Sequence, residues 1–311
     1  INVGILGSGN MAREHIKVFQ DLKDFNISGV VGRGKNNINI TKKKFPQLSF
    51  FNSLKDLFEH KKIDLLVICI NEELVIKAYK EILKYKCVFL FEKPLGINFS
   101  ETKRIFEYSK KNQKIFISLN RRFHSSTLLA IKLLKKKINK DPLTLFINDS
   151  QDIPRIKKLG LSNRLAKNLM YTNSIHLIDY INIFIKEKIK LVENVIKFKK
   201  QNPKYVLSYI KFGNGNKVIY KANWSERERW LINVSSKKIS FSFQPLEELK
   251  INYPKNINLK KNYKYFDKKY KPGLYNQAIE ILKLFNNKKN NLVKFKEYLK
   301  GVEIIKKIYE N

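Results

Sequence analysis

The sequence is poor in cysteine and contains no long apolar run. Its 311 residues include two cysteines, Cys69 and Cys87. Two thiols do not make a disulfide framework and these two lack metal-site spacing, so we expect buried structural thiols and no metal. No apolar run approaches the ~20 residues that a membrane span needs, and residues 1–9 lack the features of a signal peptide. These absences favour a cytoplasmic protein with no membrane partner.

Acidic residues are also scarce. The 27 Asp and Glu stand against 63 Lys and Arg, which gives a formal net charge of +36. Such an excess is typical of nucleic-acid-binding proteins. However, only 9 of the basic residues are arginine, the residue that base-reading proteins favour, and the short lysine runs are scattered. We therefore interpret the excess as a solvated surface that can also attract anionic substrates, and expect no nucleic-acid partner.

What the sequence does contain, up to about residue 121, is an alternation of strand-like and helical segments. Strand-like apolar runs lie at 1–6, 27–31, 50–51, 63–70, 88–91 and 115–119. The run 63–70 is apolar almost throughout, as expected of a strand buried on both faces. This alternation predicts a doubly wound parallel sheet of the Rossmann type.

Beyond residue 121 the pattern changes. Helices are predicted over 126–138, up to about 185 and over 273–308, and strands over 143–148, 195–199, 205–212, 217–224, 230–234 and 239–243. Gly213-Asn214-Gly215-Asn216 predicts a hairpin turn. The predicted fold is therefore α/β, with an N-terminal dinucleotide-binding Rossmann domain over residues 1–121. A C-terminal α/β domain with an open-faced, mainly antiparallel sheet is predicted over residues 122–311, and we expect it to bind the substrate and form the oligomer.

The first strand and first helix are joined by Gly7-x-Gly9-x-x-Ala12. Gly7 permits a tight turn, Gly9 lets the backbone approach a pyrophosphate, and Ala12 allows close helix–strand packing. The helix N-terminus then receives the phosphates. The βαβ context predicts a dinucleotide site, the alternative being a structural turn that binds no phosphate. The expected cofactor contacts are Gly7, Ser8, Gly9, Asn10 and Met11.

The end of the second strand bears on cofactor choice. The sequence there is Val31-Gly32-Arg33-Gly34-Lys35, without the acid that binds the ribose 2′-hydroxyl of NAD. Arg33 and Lys35 are suited to pair with a 2′-phosphate, although they can equally belong to the lysine-rich surface. We favour NADP(H) over NAD(H), with Arg33 as a cofactor contact.

Glu92-Lys93-Pro94 follows the fifth strand, at the edge where open α/β sheets bind ligands. A lysine there can exchange a proton with a substrate; in so lysine-rich a chain, an exposed loop residue is the alternative. Together with the glycine motif, Asn120-Arg121-Arg122-Phe123 and a helix containing His176, this segment resembles the Gfo/Idh/MocA family of oxidoreductases.

The resemblance implies NAD(P)-dependent hydride transfer to or from a small, carbohydrate-like substrate, by a homodimer or homotetramer formed through the C-terminal sheet. It implies that Lys93 is the principal acid/base group, that its bond to Pro94 is cis, and that His176 assists. The further cofactor contacts implied are Ile70, Asn71, Glu92 and Lys93. The substrate contacts implied are Lys93, Asn120, Arg121, Arg122, Thr172, Asn173 and His176.

Two positions depart from the family's pattern. The family usually has Asp four residues before the histidine, where this chain has Thr172, on the helix face expected to carry 172, 176 and 179. A threonine can orient the imidazole but cannot stabilise its charged form. The chain also has Ile70-Asn71 where many relatives carry Thr-Pro. A non-catalytic NADP(H)-binding sensor therefore stays open as an alternative, and His176 can instead be a buried helix residue.

Two further segments suggest partners. The polar stretch 149–167 contains Arg155 and Arg164; it either reaches an anionic group or is a solvated loop. With Arg121 and Arg122, it suggests an anionic sugar derivative such as a sugar phosphate, uronate or nucleotide sugar. Strand 205–212 carries apolar residues on both faces, which predicts an interface between copies of the chain.

Overall fold

A computed structural model of the chain describes residues 1–110, 114–137, 141–158, 160, 162–199, 205–224, 228–253, 256–260 and 265–310. The helices are α1 (Asn10–Gln20), α2 (Lys35–Lys44), α3 (Leu54–His60), α4 (Glu72–Ile82), α5 (Phe99–Ser109), α6 (Ser125–Lys137), α7 (Ile153–Lys158), α8 (Asn163–Ala166), α9 (Leu169–Thr172), α10 (Ile175–Phe184), α11 (Tyr265–Lys269), α12 (Leu274–Phe285) and α13 (Phe295–Tyr309). The strands are β1 (Asn2–Leu6), β2 (Asn26–Val31), β3 (Phe50–Phe51), β4 (Leu65–Ile68), β5 (Val88–Glu92), β6 (Lys114–Ser118), β7 (Thr144–Ser150), β8 (Ile189–Ile196), β9 (Tyr205–Phe212), β10 (Lys217–Asn223), β11 (Leu231–Ser235), β12 (Ser240–Phe243), β13 (Leu249–Tyr253), β14 (Asn256–Lys260) and β15 (Val293–Lys294).

The chain divides into two compact units, the first formed by Ile1–Asn120 and Lys269–Leu299. Its sheet has the strand order β15-β6-β5-β4-β1-β2-β3. Strands β1 to β6 are parallel, and β15 pairs antiparallel with β6. All four residues of β4 are buried, as the apolar run predicted. The Rossmann-type sheet is confirmed, and its order reverses between β1 and β4, where such sheets bind nucleotides.

The second unit comprises Arg121–Lys268 and the C-terminal segment from Lys300. Its sheet has the order β14-β13-β12-β11-β7-β10-β9-β8. Only β7 and β10 are parallel neighbours, and the remaining pairs described are antiparallel. The predicted hairpin joins β9 to β10, with Asn214 and Gly215 at positive φ. The mainly antiparallel second sheet is thus confirmed.

Four local predictions were wrong or incomplete. Helix α2 was missed because Thr41 is its only buried residue, so no apolar period marks it. The helix predicted over 273–308 is two helices separated by a loop and the two-residue strand β15. The strand placed at 195–199 is β8, which ends at Ile196, and its exposed residues gave no clear alternation. Strands β13 and β14 were also missed.

Residues 269–299 belong to the first unit. A single domain boundary at residue 121 places them in the second domain instead. Helix α12 packs on α1. Asn120 Nδ2 donates to the Pro272 carbonyl at 2.9 Å, and Lys269 Nζ lies 2.6 Å from a carboxylate oxygen of Asp21. These contacts join residues far apart in the chain, so no local sequence pattern predicts them.

Candidate active site

The loop after β1 has the shape of a phosphate-binding turn. Gly7 has φ +121°, and a Cβ there would lie 2.3 Å from the Cys69 carbonyl oxygen, so only glycine fits. Gly9 precedes α1 without a side-chain cap, and no atom lies within 4 Å of where its Cβ would be. Ala12 is fully buried. Uncapped N–H groups beside open space can therefore receive an anion.

The loop is held from beneath by two side chains. The Ser8 carbonyl accepts hydrogen bonds from Arg13 Nη1 at 2.8 Å and from Thr41 Oγ1 at 2.9 Å. The remaining loop residues differ in exposure: Asn10 is exposed and Met11 half-buried. Because the Ser8 carbonyl is bonded and the Gly7 N–H donates to the Val31 carbonyl at 2.7 Å, the backbone of the loop is held at both residues. Sequence reasoning missed Arg13 and Thr41, since neither belongs to the glycine motif.

The end of β2 contains no carboxylate. A Cβ on Gly32 would lie 2.7 Å from Ser8 Oγ and 3.0 Å from Ile38 Cγ1, so a side chain here requires both neighbours to move. Arg33 and Lys35 are exposed, and α2 begins after Gly34 with no side-chain cap. Two cations and uncapped helix N–H groups thus lie together where an acid is expected in an NAD-binding protein.

Lys93 directly follows β5 and is half-buried. Its peptide bond to Pro94 is cis, as the resemblance implied. The loop beyond is anchored at Leu95, whose N–H donates to Tyr298 Oη at 3.2 Å. The preceding residue, Glu92, lies 2.7 Å from His15 Nε2. Lys93 therefore stands at the carboxyl edge of the sheet on a backbone that is fixed on both sides.

Two other candidates at this edge use their side chains within the unit. Asn71 accepts from the Glu73 N–H at 2.9 Å and so caps α4; Ile70 before it is half-buried. Asn120, which is 9% exposed, donates to Pro272 as described above. The candidates of the first unit thus lie at the carboxyl ends of β1, β2, β4, β5 and β6, the edge expected to bind ligands.

In the second unit, Thr172 and His176 do not lie on one helix as predicted. Helix α9 ends at Thr172 and α10 begins at Ile175, with the non-helical Asn173 between them. A polar contact lies at the break, where Asn173 Nδ2 donates to Gln151 Oε1 at 2.7 Å. Thr172 and His176 are both buried, at 7% and 6% exposure.

A buried carboxylate belongs to the same hydrogen-bond network as Asn173. Asp149 has no exposed surface and accepts from Tyr220 Oη and from Gln151 Nε2, each at 2.6 Å. Burial raises the pKa of Asp149, although its hydrogen bonds, including one with Ser174, oppose the shift. Gln151 thus connects Asp149 to Asn173. The sequence gave no signal for this network, whose members are separated by up to 71 positions.

The two arginines after β6 have different environments. Arg122 is buried in a two-point ion pair with Asp179, Nε to Oδ2 at 2.6 Å and Nη2 to Oδ1 at 2.5 Å. The Arg121 guanidinium lies 4.4 Å from the centre of the Trp230 ring, and its buried Nη1 has no hydrogen-bond partner among the described residues. Burial lowers the pKa of Arg121. A buried guanidinium nitrogen without a hydrogen-bond partner in the described part of the chain is suited to an anionic ligand.

The remaining predicted features are less informative. Arg164 is exposed, and the side chain of Arg155 in α7 lies outside the described part of the chain. Cys69 and Cys87 are half-buried free thiols; burial raises the pKa of Cys87 to about 12. Within the described residues, no group of acidic, histidine and cysteine side chains could hold a metal. None of the helices described is both long and apolar enough to cross a bilayer.

Comparison with known proteins agrees with this geometry. Residues 1–120 match the GFO_IDH_MocA family model, an oxidoreductase family with an NAD-binding Rossmann fold. No curated protein matches the chain in sequence.

Several solved structures share the fold of the chain. A dehydrogenase from Clostridium difficile is 19% identical, with a TM-score of 0.79 over 99% of this chain and 98% of its own. An oxidoreductase from Thermotoga maritima is also 19% identical, with a TM-score of 0.79 over 99% and 95%. A UDP-N-acetylglucosamine 3-dehydrogenase from Acidithiobacillus ferrooxidans is 13% identical, with a TM-score of 0.78 over 99% and 96%.

Proposed function

We propose that this chain, whose residues 1–120 belong to the Gfo/Idh/MocA oxidoreductases, transfers hydride between a nicotinamide cofactor and a carbohydrate-like substrate. The observation that carries the proposal is the Gly7–Gly9 turn. It combines a position that only glycine fits with uncapped N–H groups beside open space. Lys93 at the same sheet edge supplies the group that such a reaction needs for proton transfer.

The residues at this edge fit a dinucleotide. The backbone from Gly7 to Met11 would hold the pyrophosphate on the helix N-terminus, and Ile70, Asn71, Glu92 and Lys93 stand at the neighbouring strand ends. When bound, the nicotinamide supplies or accepts the hydride. Exposed Arg33 and Lys35 beside the uncapped start of α2 support NADP(H) over NAD(H), because they offer positive charge to a 2′-phosphate.

Hydride transfer at a carbon that bears oxygen requires a proton to move at that oxygen. In this proposal Lys93 is the principal acid/base group and His176 its assistant. Thr172 cannot supply the counter-charge that a carboxylate would give the imidazole. Asp179, three residues after His176, is bound by Arg122. Lys93 should therefore carry most of the proton transfer.

The proposed substrate is an anionic sugar derivative. Arg121 supports this, because its guanidinium stacks on Trp230 and its Nη1 has no hydrogen-bond partner among the described residues, whereas that of Arg122 is bound by Asp179. One structural neighbour is named for dehydrogenation of UDP-N-acetylglucosamine, a nucleotide sugar. Sugar phosphates, uronates and nucleotide sugars all present the planar or phosphate anions that arginine binds well.

We also propose a homodimer or homotetramer formed through the second sheet. On one face of β9, Val206, Ile210 and Phe212 are buried, whereas Tyr205 on the other face is 38% exposed. On that outer face, Leu207 pairs with Ile196 and Tyr209 with Ile219. Ile196 and Ile219 are 41% and 36% exposed. Charged residues interrupt this surface, since Lys221 pairs with Leu207 and Glu193 with Tyr209. Exposed apolar side chains grouped on one face of a sheet are nevertheless typical of an interface.

A non-catalytic NADP(H) sensor is the second candidate, and Thr172 in place of an acid favours it. One experiment separates the two. The protein is mixed with NADP⁺ or NAD⁺ and a panel of neutral and charged sugars, and with the reduced cofactors and the corresponding ketoses, while the reduced-nicotinamide absorbance is followed. An enzyme changes that absorbance catalytically with some member. A sensor binds the cofactor and changes its affinity with a sugar, but never turns over.

A further inference from the structure

The first unit contains a buried histidine–carboxylate hydrogen bond, and the proposed function gives its histidine no role. His15 Nε2 lies 2.7 Å from Glu92 Oε1, and the two side chains are 3% and 11% exposed. His15 belongs to α1, the helix that begins at the phosphate-binding turn, and Glu92 is the last residue of β5. The pair therefore connects the cofactor helix to the residue before Lys93.

A second layer of hydrogen bonds lies on the other side of Glu92. Ser118 of β6 bonds to the carboxylate, and its Oγ is 3.0 Å from Gln277 Oε1. The hydroxyl has one proton, so it cannot donate to both. If the Gln277 amide is turned by 180°, Nε2 donates to Ser118 and Ser118 donates to Glu92. That arrangement also gives a partner to the buried Nε2, which otherwise has none in the described chain.

These contacts fix the charge of Glu92. Burial alone would raise the pKa of its carboxyl, but the hydrogen bonds from His15 and Ser118, with the charges of His15 and Lys93, hold it below its usual range. Cys69, after β4, is another titratable group on which Glu92 acts. Burial raises the pKa of that thiol far above its ordinary value, and Glu92 adds to the shift, so Cys69 stays neutral. Glu92 is therefore a fixed negative charge beside Lys93.

We infer that His15 is a positioning residue that acts on Lys93 through Glu92. By holding the carboxylate ionised and turned toward α1, it maintains a negative charge that favours the protonated form of Lys93. The inference rests on the proposed role of Lys93 as acid/base group. We further infer that α1, the helix proposed to bind the pyrophosphate, sets the proton affinity of Lys93 through the hydrogen bond between His15 and Glu92. A purely structural pair would join α1 to β5 without affecting Lys93.

The test measures Lys93 directly and requires no turnover. The full-length protein is labelled with acetic anhydride over a range of pH, and the acetylation of Lys93 is followed by peptide mass spectrometry. His15→Leu removes the hydrogen bond from His15 and leaves the buried Glu92 carboxylate with only Ser118 as a side-chain donor among the described residues, so Glu92 should take up a proton and lose its charge. Glu92→Gln removes the charge outright. Both should lower the pH midpoint of Lys93 labelling by about one unit, the low end for loss of a nearby opposite charge.

Four further variants complete the test. His15→Gln keeps an N–H donor near the position of Nε2 and should restore the midpoint. His15→Asn is too short to reach Glu92 and should behave as His15→Leu, which serves if the leucine variant does not fold. His60→Leu breaks an exposed histidine–carboxylate contact, 3.3 Å from Asp56, and should change nothing at Lys93. The double variant His15→Leu, Glu92→Gln should shift the midpoint no further than either single one.

The inference is overturned if Glu92→Gln leaves the Lys93 midpoint unchanged, or if the loss of His15 leaves it unchanged or raises it. A higher midpoint would mean that the Glu92 carboxylate rotates toward Lys93 when its hydrogen bond to His15 is lost. If a substrate is found, the pH dependence of kcat/KM in His15→Leu should shift with the labelling midpoint while cofactor Kd stays constant. If no sugar is turned over, the proposed function fails, yet the labelling result stands by itself.

Discussion

The Arg122 guanidinium and the Asp179 carboxylate form a buried two-point ion pair, with side-chain exposures of 9% and 4%. Removing one partner leaves a buried charge uncompensated. Arg122→Met or Asp179→Asn should therefore cost about 3–5 kcal/mol, whereas the double variant should cost less than the sum of the two.

The chain provides a convenient probe and control for this measurement. Both of its tryptophans, Trp224 and Trp230, lie in the second unit, so tryptophan fluorescence during urea unfolding reports on that unit alone. Lys221→Met breaks a more exposed pair with Glu228, at 23% and 29% exposure, and should cost at most ~1 kcal/mol. Equal losses for Arg122→Met and Lys221→Met would contradict the prediction.

Lys93→Met should lower kcat by ~10²-fold or more, the usual scale for loss of an acid/base group. His176→Ala should cost less, because the proposal gives Lys93 the larger share of the proton transfer. NADPH affinity, measured by quenching of nucleotide fluorescence, should change little in either variant. Lys86→Met, on the exposed turn before β5, is the matched control. Near-normal turnover by Lys93→Met on the true substrate would show that the mechanism is wrong.

NADPH should bind more tightly than NADH. Arg33→Ala should weaken NADPH binding by ~10-fold, roughly the contribution of one charge-assisted contact, and leave NADH binding unchanged. Gly32→Asp places an acid at the end of β2 and should favour NADH, although Ser8 and Ile38 must shift to admit it. Titration calorimetry with both reduced cofactors decides this; equal affinities for the unmodified protein would refute the preference.

Arg121→Met should raise KM for an anionic sugar by at least ~10-fold, since a charge-assisted contact is lost. The apolar chain of methionine can still pack on Trp230, so the unit should stay folded. Arg104→Met removes an exposed arginine of α5 and controls for the general effect of charge. Neutral sugars turned over as efficiently as their charged derivatives would count against an anionic substrate.

Light scattering at micromolar concentration should give the mass of a dimer or tetramer. Leu207→Glu or Ile219→Lys inserts charge into the outer face of the second sheet and should shift the mass toward a monomer. Ile40→Glu alters an apolar residue of the first unit that is 43% exposed and should leave the mass unchanged. A monomeric unmodified protein would exclude the proposed interface.

The sequence by itself determined the elements whose signal is local. Three such elements are the apolar run at β4, the glycines of the first turn and the Gly213–Asn216 hairpin. A few residues predict the conformation of each, because burial, φ and turn geometry depend on local sequence. These were enough to predict the Rossmann sheet, the antiparallel second sheet and the position of Lys93 at a strand end.

Only the tertiary structure decided which polar groups meet. His15 and Glu92 are 77 positions apart, Arg122 and Asp179 57, and Tyr220 and Asp149 71. No periodicity links them, since each pair depends on how separate elements dock. The same holds for β15 and α12. Strand β15 has two residues and joins the first unit by pairing with β6. Helix α12 joins it by packing on α1, a contact that its sequence does not indicate. The packing of separate elements also gives two adjacent arginines different partners. Arg121 stacks on Trp230, whereas Arg122 forms an ion pair with Asp179.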